Sequence, residues 1–406
     1  MNQKVDRILF TLGIVVLYRF TTYITIPGLD LSVVSKFYAD NSSILGIFNS
    51  MSGGAVSRMS IMALNLIPYV SASIIMQLLT AVIPEWKELK RDSYQRKKIS
   101  RYSRMLALAI SFVQSLGMAI GLENVKGLVI SPGITFKFVT VVSVMSASLL
   151  IMWVSERITE KGIGNGSSII IFTGILSNSI PGAIQFTQTY MKSSAAIFWT
   201  IITCLGAFIG VIVFCELLRY MIKVFFKRSA LVSYNSAELA SNVVPIKINP
   251  AGILPAMFAD SMMVIPSLIL RVLESRFGLT LGSYGPYLNL LIRSGMIMFF
   301  CLFCISIVMN PEDVSENLRS RRAYIDGIPE GKATASYFED LLNKISVLGC
   351  LYTLFVTIGP DLLSLLLLAP GAGIFITGTS LLILIGTALE IYERIAPEPK
   401  LLREAV

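Results

Sequence analysis

Apolar stretches of about 20 residues, the length that crosses a bilayer as a helix, recur along almost the whole of this chain. A polypeptide written this way has few folds open to it. Of its 406 residues 54% are hydrophobic and 15% charged, where soluble domains carry about 25% charged residues, so most of the chain is expected to lie in lipid. A lipid-embedded barrel is excluded, because its strands would alternate polar and apolar residues and these runs do not. Histidine is absent, which removes imidazole catalysis and imidazole metal ligation. The five cysteines, Cys204, Cys215, Cys301, Cys304 and Cys350, all fall in or at the edge of apolar segments. Cys301 and Cys304 form a CxxC one helical turn apart, but without a second ligand pair they read as small packing residues.

A window of about 19 residues gives spans at 8–26, 61–83, 103–121, 137–155, 168–186, 196–218, 250–271, 288–309, 341–360 and 371–391. The expected fold is an all-α polytopic membrane protein with ten transmembrane helices. The fifth span opens in Gly-Asn-Gly-Ser-Ser and carries Asn178 and Pro181, which suits a helix facing protein or water. Lys4 and Arg7 precede an apolar stretch long enough to span with no small-residue cleavage site after it, so the first helix is expected to stay as an anchor. Most of the 34 basic residues collect in the N-terminus, the loop after span two, the turn at Arg157 and Lys161, the loops 219–248 and 310–344, and the C-terminal tail. That asymmetry predicts both termini in the cytoplasm. Five plus five spans suit two pseudo-symmetric halves around a central pore, 1–187 and 188–406, an arrangement frequent in proteins with an internal path.

Several segments break the rules for a lipid-facing helix. Residues 44–60 are apolar enough to leave water, yet Gly53, Gly54 and Arg58 make a poor span; they read as a short re-entrant helix or, alternatively, an interfacial amphipathic loop. In the second span Pro68, Ser71, Ser73 and Gln77 interrupt an apolar helix and give it a weakly polar face. The seventh begins similarly, Asn249-Pro-Ala-Gly-Ile-Leu-Pro255, and continues to Asp260 and Ser261. An acid inside a span is costly and normally faces partners or water. Only Arg19 and Asp260 are read as lying well inside spans, Arg19 in a structural role. The loops 84–101 and 310–344 are long and basic, natural docking surfaces for a soluble partner. Neither holds a GxxxxGK[ST] phosphate loop, so directional work would draw its energy from elsewhere.

These features converge on one resemblance. Ile24-Thr-Ile-Pro-Gly-Leu-Asp30, Phe48-Asn-Ser-Met-Ser-Gly-Gly-Ala-Val-Ser-Arg58, Ile67-Pro-Tyr-Val-Ser-Ala-Ser-Ile-Ile-Met-Gln-Leu-Leu79, Arg96-Lys-Lys-Ile-Ser100, Thr159-Glu-Lys-Gly-Ile-Gly-Asn-Gly166, Ala251-Gly-Ile-Leu-Pro-Ala256, Asn310-Pro-Glu and Gly378-Thr-Ser-Leu-Leu382 follow one another from end to end. In this order the chain resembles the SecY family, the channel subunit of the protein-conducting translocon. The resemblance implies an hourglass pore closed by a plug at 44–60, including Phe48, Asn49, Ser52, Gly53, Gly54 and Arg58. It implies a lateral gate between spans two and seven, with Ser71, Ser73 and Gln77 facing Asp260, Ser261 and Ile265. A pore ring falls on Leu66, Val70, Ile171, Met257 and Ile383; Ser167 stands where a further apolar residue is usual. Unfolded preproteins would pass this waist and apolar segments would leave sideways into lipid. A secondary transporter of small solutes is the competing class, and it would need a midplane cluster of charged groups.

The resemblance also implies SecE-type and SecG-type subunits and a SecA motor ATPase or ribosome on the cytoplasmic side, in a bacterial inner membrane or a thylakoid. No enzyme activity, cofactor or metal is implied. Docking would use Arg219, Lys223, Lys227, Arg228, Arg319, Arg321, Arg322 and Lys332. Two departures bear on it: Gly327-Ile-Pro-Glu-Gly331 lacks the family's arginine at that loop tip, and Tyr220-Met221 stands where two arginines are usual beside Glu216 and Arg219.

Overall fold

The computed structural model describes residues 2–30, 52–83, 86, 93–123, 127–193, 195–226, 242–247, 249–250, 252–263, 266, 285–308, 311–320, 323–329, 331–367 and 377–395. These residues are mostly helical. The chain divides into two compact units, Met1–Ala195 with Phe375–Ile395, and Ala196–Ile374 with Ala396–Val406. The last helix therefore joins the first unit.

The first unit contains α1 (Asn2–Thr21), α2 (Ile67–Val82), α3 (Ser93–Glu123), α4 (Ile134–Lys161), α5 (Gly166–Ser193) and α11 (Gly378–Ile395). α4 shows how the sequence sets the packing: Phe136, Thr140, Val144, Ala147, Ile151, Ser155 and Ile158 recur every three or four residues and are all buried, one stripe of a helix. Phe138, Leu150 and Trp153 between them are exposed, as expected of a surface meant for lipid. α3 packs against α2 and α4, and α5 against α4 and α11.

The α4–α5 turn explains its glycines. A Cβ at Gly162 would lie 2.5 Å from Thr11 Oγ1, and one at Gly166 would lie 1.9 Å from the Ser155 carbonyl oxygen. Gly164 takes φ +73°, open to glycine at no steric cost. The turn is then stitched by Gly166 N donating to Thr159 Oγ1 at 2.8 Å and Ile163 N donating to Thr11 Oγ1 at 3.2 Å.

The second unit contains α6 (Ala195–Leu217, whose first residue is shared with the first unit), β1 (Arg219–Phe226), β2 (Asn242–Lys247), α7 (Leu254–Met262), α8 (Gly285–Val308), α9 (Pro311–Ser320), β3 (Ala323–Tyr324) and α10 (Lys332–Leu367). The strands lie within 219–248 and 310–344, which were expected as loops: they form one antiparallel sheet in the order β2-β1-β3, with Ile222 opposite Val244 and Phe225 opposite Tyr324. Ile222, Val224, Ile246, Ile325, Phe338 and Ile345 make its core, so sheet, α9 and the start of α10 form one small platform. α10 and α6 approach closely at Gly359, where a Cβ would lie 2.4 Å from the Phe208 ring.

Among the described residues six helices are long and apolar enough to cross a membrane, in α3, α4, α5, α6, α8 and α10. α2 is apolar but shorter, α1 and α11 carry charges at their ends, and nine residues of α7 are described.

Candidate translocation channel

The segment expected as the plug is described from Ser52 onward; Phe48 and Asn49 lie outside the described residues. Residues 52–59 are turns and a bend, where a re-entrant helix and an amphipathic loop were the two expectations. The reason is local: Gly53 (φ +68°), Gly54 (φ +83°) and Met59 (φ +47°) adopt left-handed backbone, which a right-handed helix cannot contain. The stem is tied to the end of α1 instead. Ile26 N donates to Met59 O at 2.9 Å, Ile61 N to Ile24 O at 3.0 Å, and Ser60 Oγ to Ile24 O at 2.8 Å. Arg19 Nη1 donates to Gly53 O at 3.0 Å, the structural role expected of it, and the Arg58 guanidinium stacks 4.3 Å from the Tyr23 ring centre. Ser52 is fully buried. Gly53 sits so close to α5 that a Cβ there would lie 3.0 Å from both Gly174 Cα and Ser177 Oγ.

α2 and α7 start in the same way. The residues preceding them, Leu66 and Ile253, are already in helical conformation with no side-chain cap, and a proline follows within the first turn, Pro68 or Pro255. Proline suits that position because the amide it lacks would be unpaired there. Val70 N donates to Leu66 O at 2.9 Å, which sets these two residues one turn apart on one side of the helix. Of the candidate ring, Leu66 (1% exposed), Ile171 (4%), Met257 (8%) and Ile383 (4%) are buried, and Val70 is half-buried. Ile171 and Ile383 lie on α5 and α11, which pack together in the first unit. Ser167 is spent locally at the start of α5, its hydroxyl donating to Asn165 Oδ1 at 2.8 Å.

On α2 the three polar residues expected at the gate do not share one setting. Ser73 and Gln77, one turn apart, line a cavity of about 510 Å³ against Ile99, Ser100 and Ser103 of α3. Ser71 is half-buried elsewhere on the helix. On α7, Ser261 is placed in the helix, and Ile265 lies outside the described residues.

Asp260 has partners that the sequence did not suggest. Arg293 Nε and Nη2 of α8 both lie 3.0 Å from Asp260 Oδ1, and Arg293 Nη1 bonds Asp361 Oδ2 of α10. Asp260 is 5% and Arg293 8% exposed. This corrects the expectation that Arg19 and Asp260 stand alone inside spans. Arg293 falls within the eighth apolar stretch and Asp361 just beyond the ninth, and periodicity cannot announce that the two meet Asp260.

Of the docking residues, Arg219 and Lys223 stand on β1, opposite Lys247 and Val243, and Arg319 and Lys332 are exposed at the end of α9 and the start of α10. Lys227, Arg228, Arg321 and Arg322 lie outside the described residues. The loop tip is a turn with Gly327 at φ +77°, fastened by Thr334 Oγ1 to Pro329 O and Ser315 Oγ to Gly331 O, each at 2.9 Å.

Known proteins share both sequence and fold with this chain. The SecY family profile matches residues 60–392. The protein translocase subunit SecY of Escherichia coli K12 is 35% identical over 97% of this chain and 91% of its own length. That of Helicobacter pylori is 34% identical over 97% and 96%. Among solved structures, a protein-conducting channel superposes with a TM-score of 0.66 at 16% identity, covering 100% of this chain and 94% of that one. Sec61 in a canine ribosome–channel complex gives 0.63 at 16%, covering 100% and 94%. The solute-transporter reading finds no support in these likenesses. With a third or more of its residues shared along nearly its whole length with translocase subunits, the chain belongs to the SecY family.

Proposed function

We propose that this chain is the central subunit of a protein translocation channel in a bacterial inner membrane, with both termini cytoplasmic. It passes unfolded preproteins across the membrane and releases apolar segments into lipid through a lateral gate. The carrying observation is similarity to bacterial translocase subunits over 97% of the chain. No bond is made or broken. An extended, hydrated segment crosses the waist, whereas one of about 20 apolar residues gains more by leaving for the bilayer.

In this proposal Leu66, Val70, Ile171, Met257 and Ile383 form an apolar waist that leaves ions no substitute for their hydration shells. The buried Ser52–Gly53–Gly54 stem, tied to α1, anchors the plug. α2, with Ser71, Ser73 and Gln77, and α7, with Asp260 and Ser261 followed by Ile265, form the two gate walls. Polar contacts between helices in lipid are worth about 0.5–2 kcal/mol each, weak enough for a closed gate that opens.

The sheet-and-helix platform of the second unit is the docking surface, with Arg219, Lys223, Arg319 and Lys332 on it and Lys227, Arg228, Arg321 and Arg322 following in sequence. A ribosome is the favoured partner, since a structural neighbour is a channel in a ribosome complex; a SecA-type motor and SecE-type and SecG-type subunits complete the assembly. The test is reconstitution in liposomes with substrates carrying a graded apolar segment. A sharp change from protease-protected to lipid-integrated product at a set hydrophobicity is expected. A single outcome at every hydrophobicity contradicts a lateral gate.

A further inference from the structure

We propose that Arg293 is a positioning residue of the channel: through Asp260 and Asp361 it makes α7, α8 and α10 one moving body that links the cytoplasmic platform to a gate wall. The proposal rests on the gate role given to α7 above.

The three charges come from three helices, with Arg293 33 positions from Asp260 and 68 from Asp361 in sequence. A guanidinium suits such a junction, because its planar fork can serve carboxylates on two sides at once. Asp260 and Arg293 are almost fully buried, and a charge left alone inside a membrane protein is expensive. If α7 drew away from α8, Asp260 would lose the guanidinium and Arg293 one of its two carboxylates, so parting is opposed more strongly than for an apolar contact. Moving α7 together with α8 and α10 leaves the junction intact and incurs no such penalty.

α10 gives the junction its reach. Its 36 residues make a helix about 54 Å long at 1.5 Å per residue. Phe338 and Ile345 near its start are packed into the platform core with Ile222 and Val224 of β1, and Asp361 near its far end, one residue past Pro360, holds Arg293. Tyr352 between them donates to Glu216 Oε1 of α6 at 3.4 Å. One packed and charge-paired path therefore runs from the platform to α7.

The test places spin labels at Met262→Cys on α7 and Met298→Cys on α8, both exposed, with the five native cysteines replaced. Distances are measured in the assembled translocase, idle and holding an arrested preprotein. The parent protein is expected to give one narrow distribution that does not change on engagement. The Asp260→Leu, Arg293→Leu, Asp361→Leu triple variant packs without tethering, so its distribution should match the parent when idle and shift by several ångströms when engaged. Arg293→Gln, should the triple variant fail to accumulate, is expected to shift likewise, and Arg293→Lys to restore part of the parent behaviour. A shift in the parent on engagement, or a fixed distance in the neutralised variants, overturns the proposal. Failure of the gate role of α7 would register separately, as unimpeded transport through a channel whose Ser71→Cys and Ile265→Cys are joined, whatever the label distances.

Discussion

The carbonyl of Gly53 lies beneath the guanidinium of Arg19, accepting from Nη1 at 3.0 Å, and a Cβ on Gly53 would come within 2.6 Å of that nitrogen. One glycine thus joins the segment proposed as the plug stem to α1 and, through Gly174, to α5. With φ at +68°, a β-carbon here adds about 1–2 kcal/mol of backbone strain before any displacement of Arg19. Gly53→Val is therefore expected to shift the closed state toward open by about 5- to 30-fold. Ion conductance of the idle channel in a planar bilayer reads this, and conductance equal to the parent's would contradict it.

The α4–α5 turn should tolerate no side chain at residue 166. A Cβ 1.9 Å from the Ser155 carbonyl oxygen must displace backbone, so Gly166→Ala is expected to lower accumulation of full-length protein in membranes severalfold. Gly117→Ala, where nothing lies within 4 Å, is the control expected to accumulate normally.

Among the triad residues the order of damage is set by what each deletion leaves behind. Arg293→Leu leaves two carboxylates without their cation and is expected to cost about 3–5 kcal/mol. Asp260→Leu leaves Arg293 with Asp361 and costs less, while shifting the hydrophobicity at which a segment enters lipid. Thermal unfolding in detergent and the insertion threshold measure the two effects. An unchanged threshold in Asp260→Leu contradicts a gate role for this helix.

At the proposed waist, Ile383→Asn places an amide where a 4%-exposed isoleucine stands. Ion leak through the idle channel is expected to rise while preprotein transport continues, as measured by conductance and by protease protection.

Arg319 and Lys332 flank the loop tip on the platform. Reversing both to glutamate is expected to slow partner association about tenfold at low salt and much less at high salt. Binding kinetics across a salt series check this; a salt-independent loss would point to misfolding of the platform.

The sequence made some parts of this molecule plain and hid others for physical reasons. α4 was legible because its apolar run is long enough to span a bilayer, and the starts of α2 and α7 because proline is local punctuation. The glycines at 162, 164 and 166 were visible as a motif, although only the contact with Ser155 explains the last of them. β1 was missed inside a basic stretch, despite the alternation of Ile222 and Val224, and β2 carries Pro245, which argues against a strand. At 52–59 apolar character leaves a re-entrant helix and an amphipathic loop both open, because it says nothing about two successive left-handed glycines. The Arg293 junction was out of reach, since an arginine near the end of an apolar run looks like an ordinary boundary charge until its distant partners are placed beside it.

A single pair of cysteines tests the proposed gate between α2 and the segment containing α7. With the five native cysteines replaced, Ser71→Cys and Ile265→Cys are introduced and preprotein transport is measured in proteoliposomes, oxidised and reduced. Oxidation is expected to join the two and block transport, and reduction to restore it. A bond that forms while transport continues would contradict the gate.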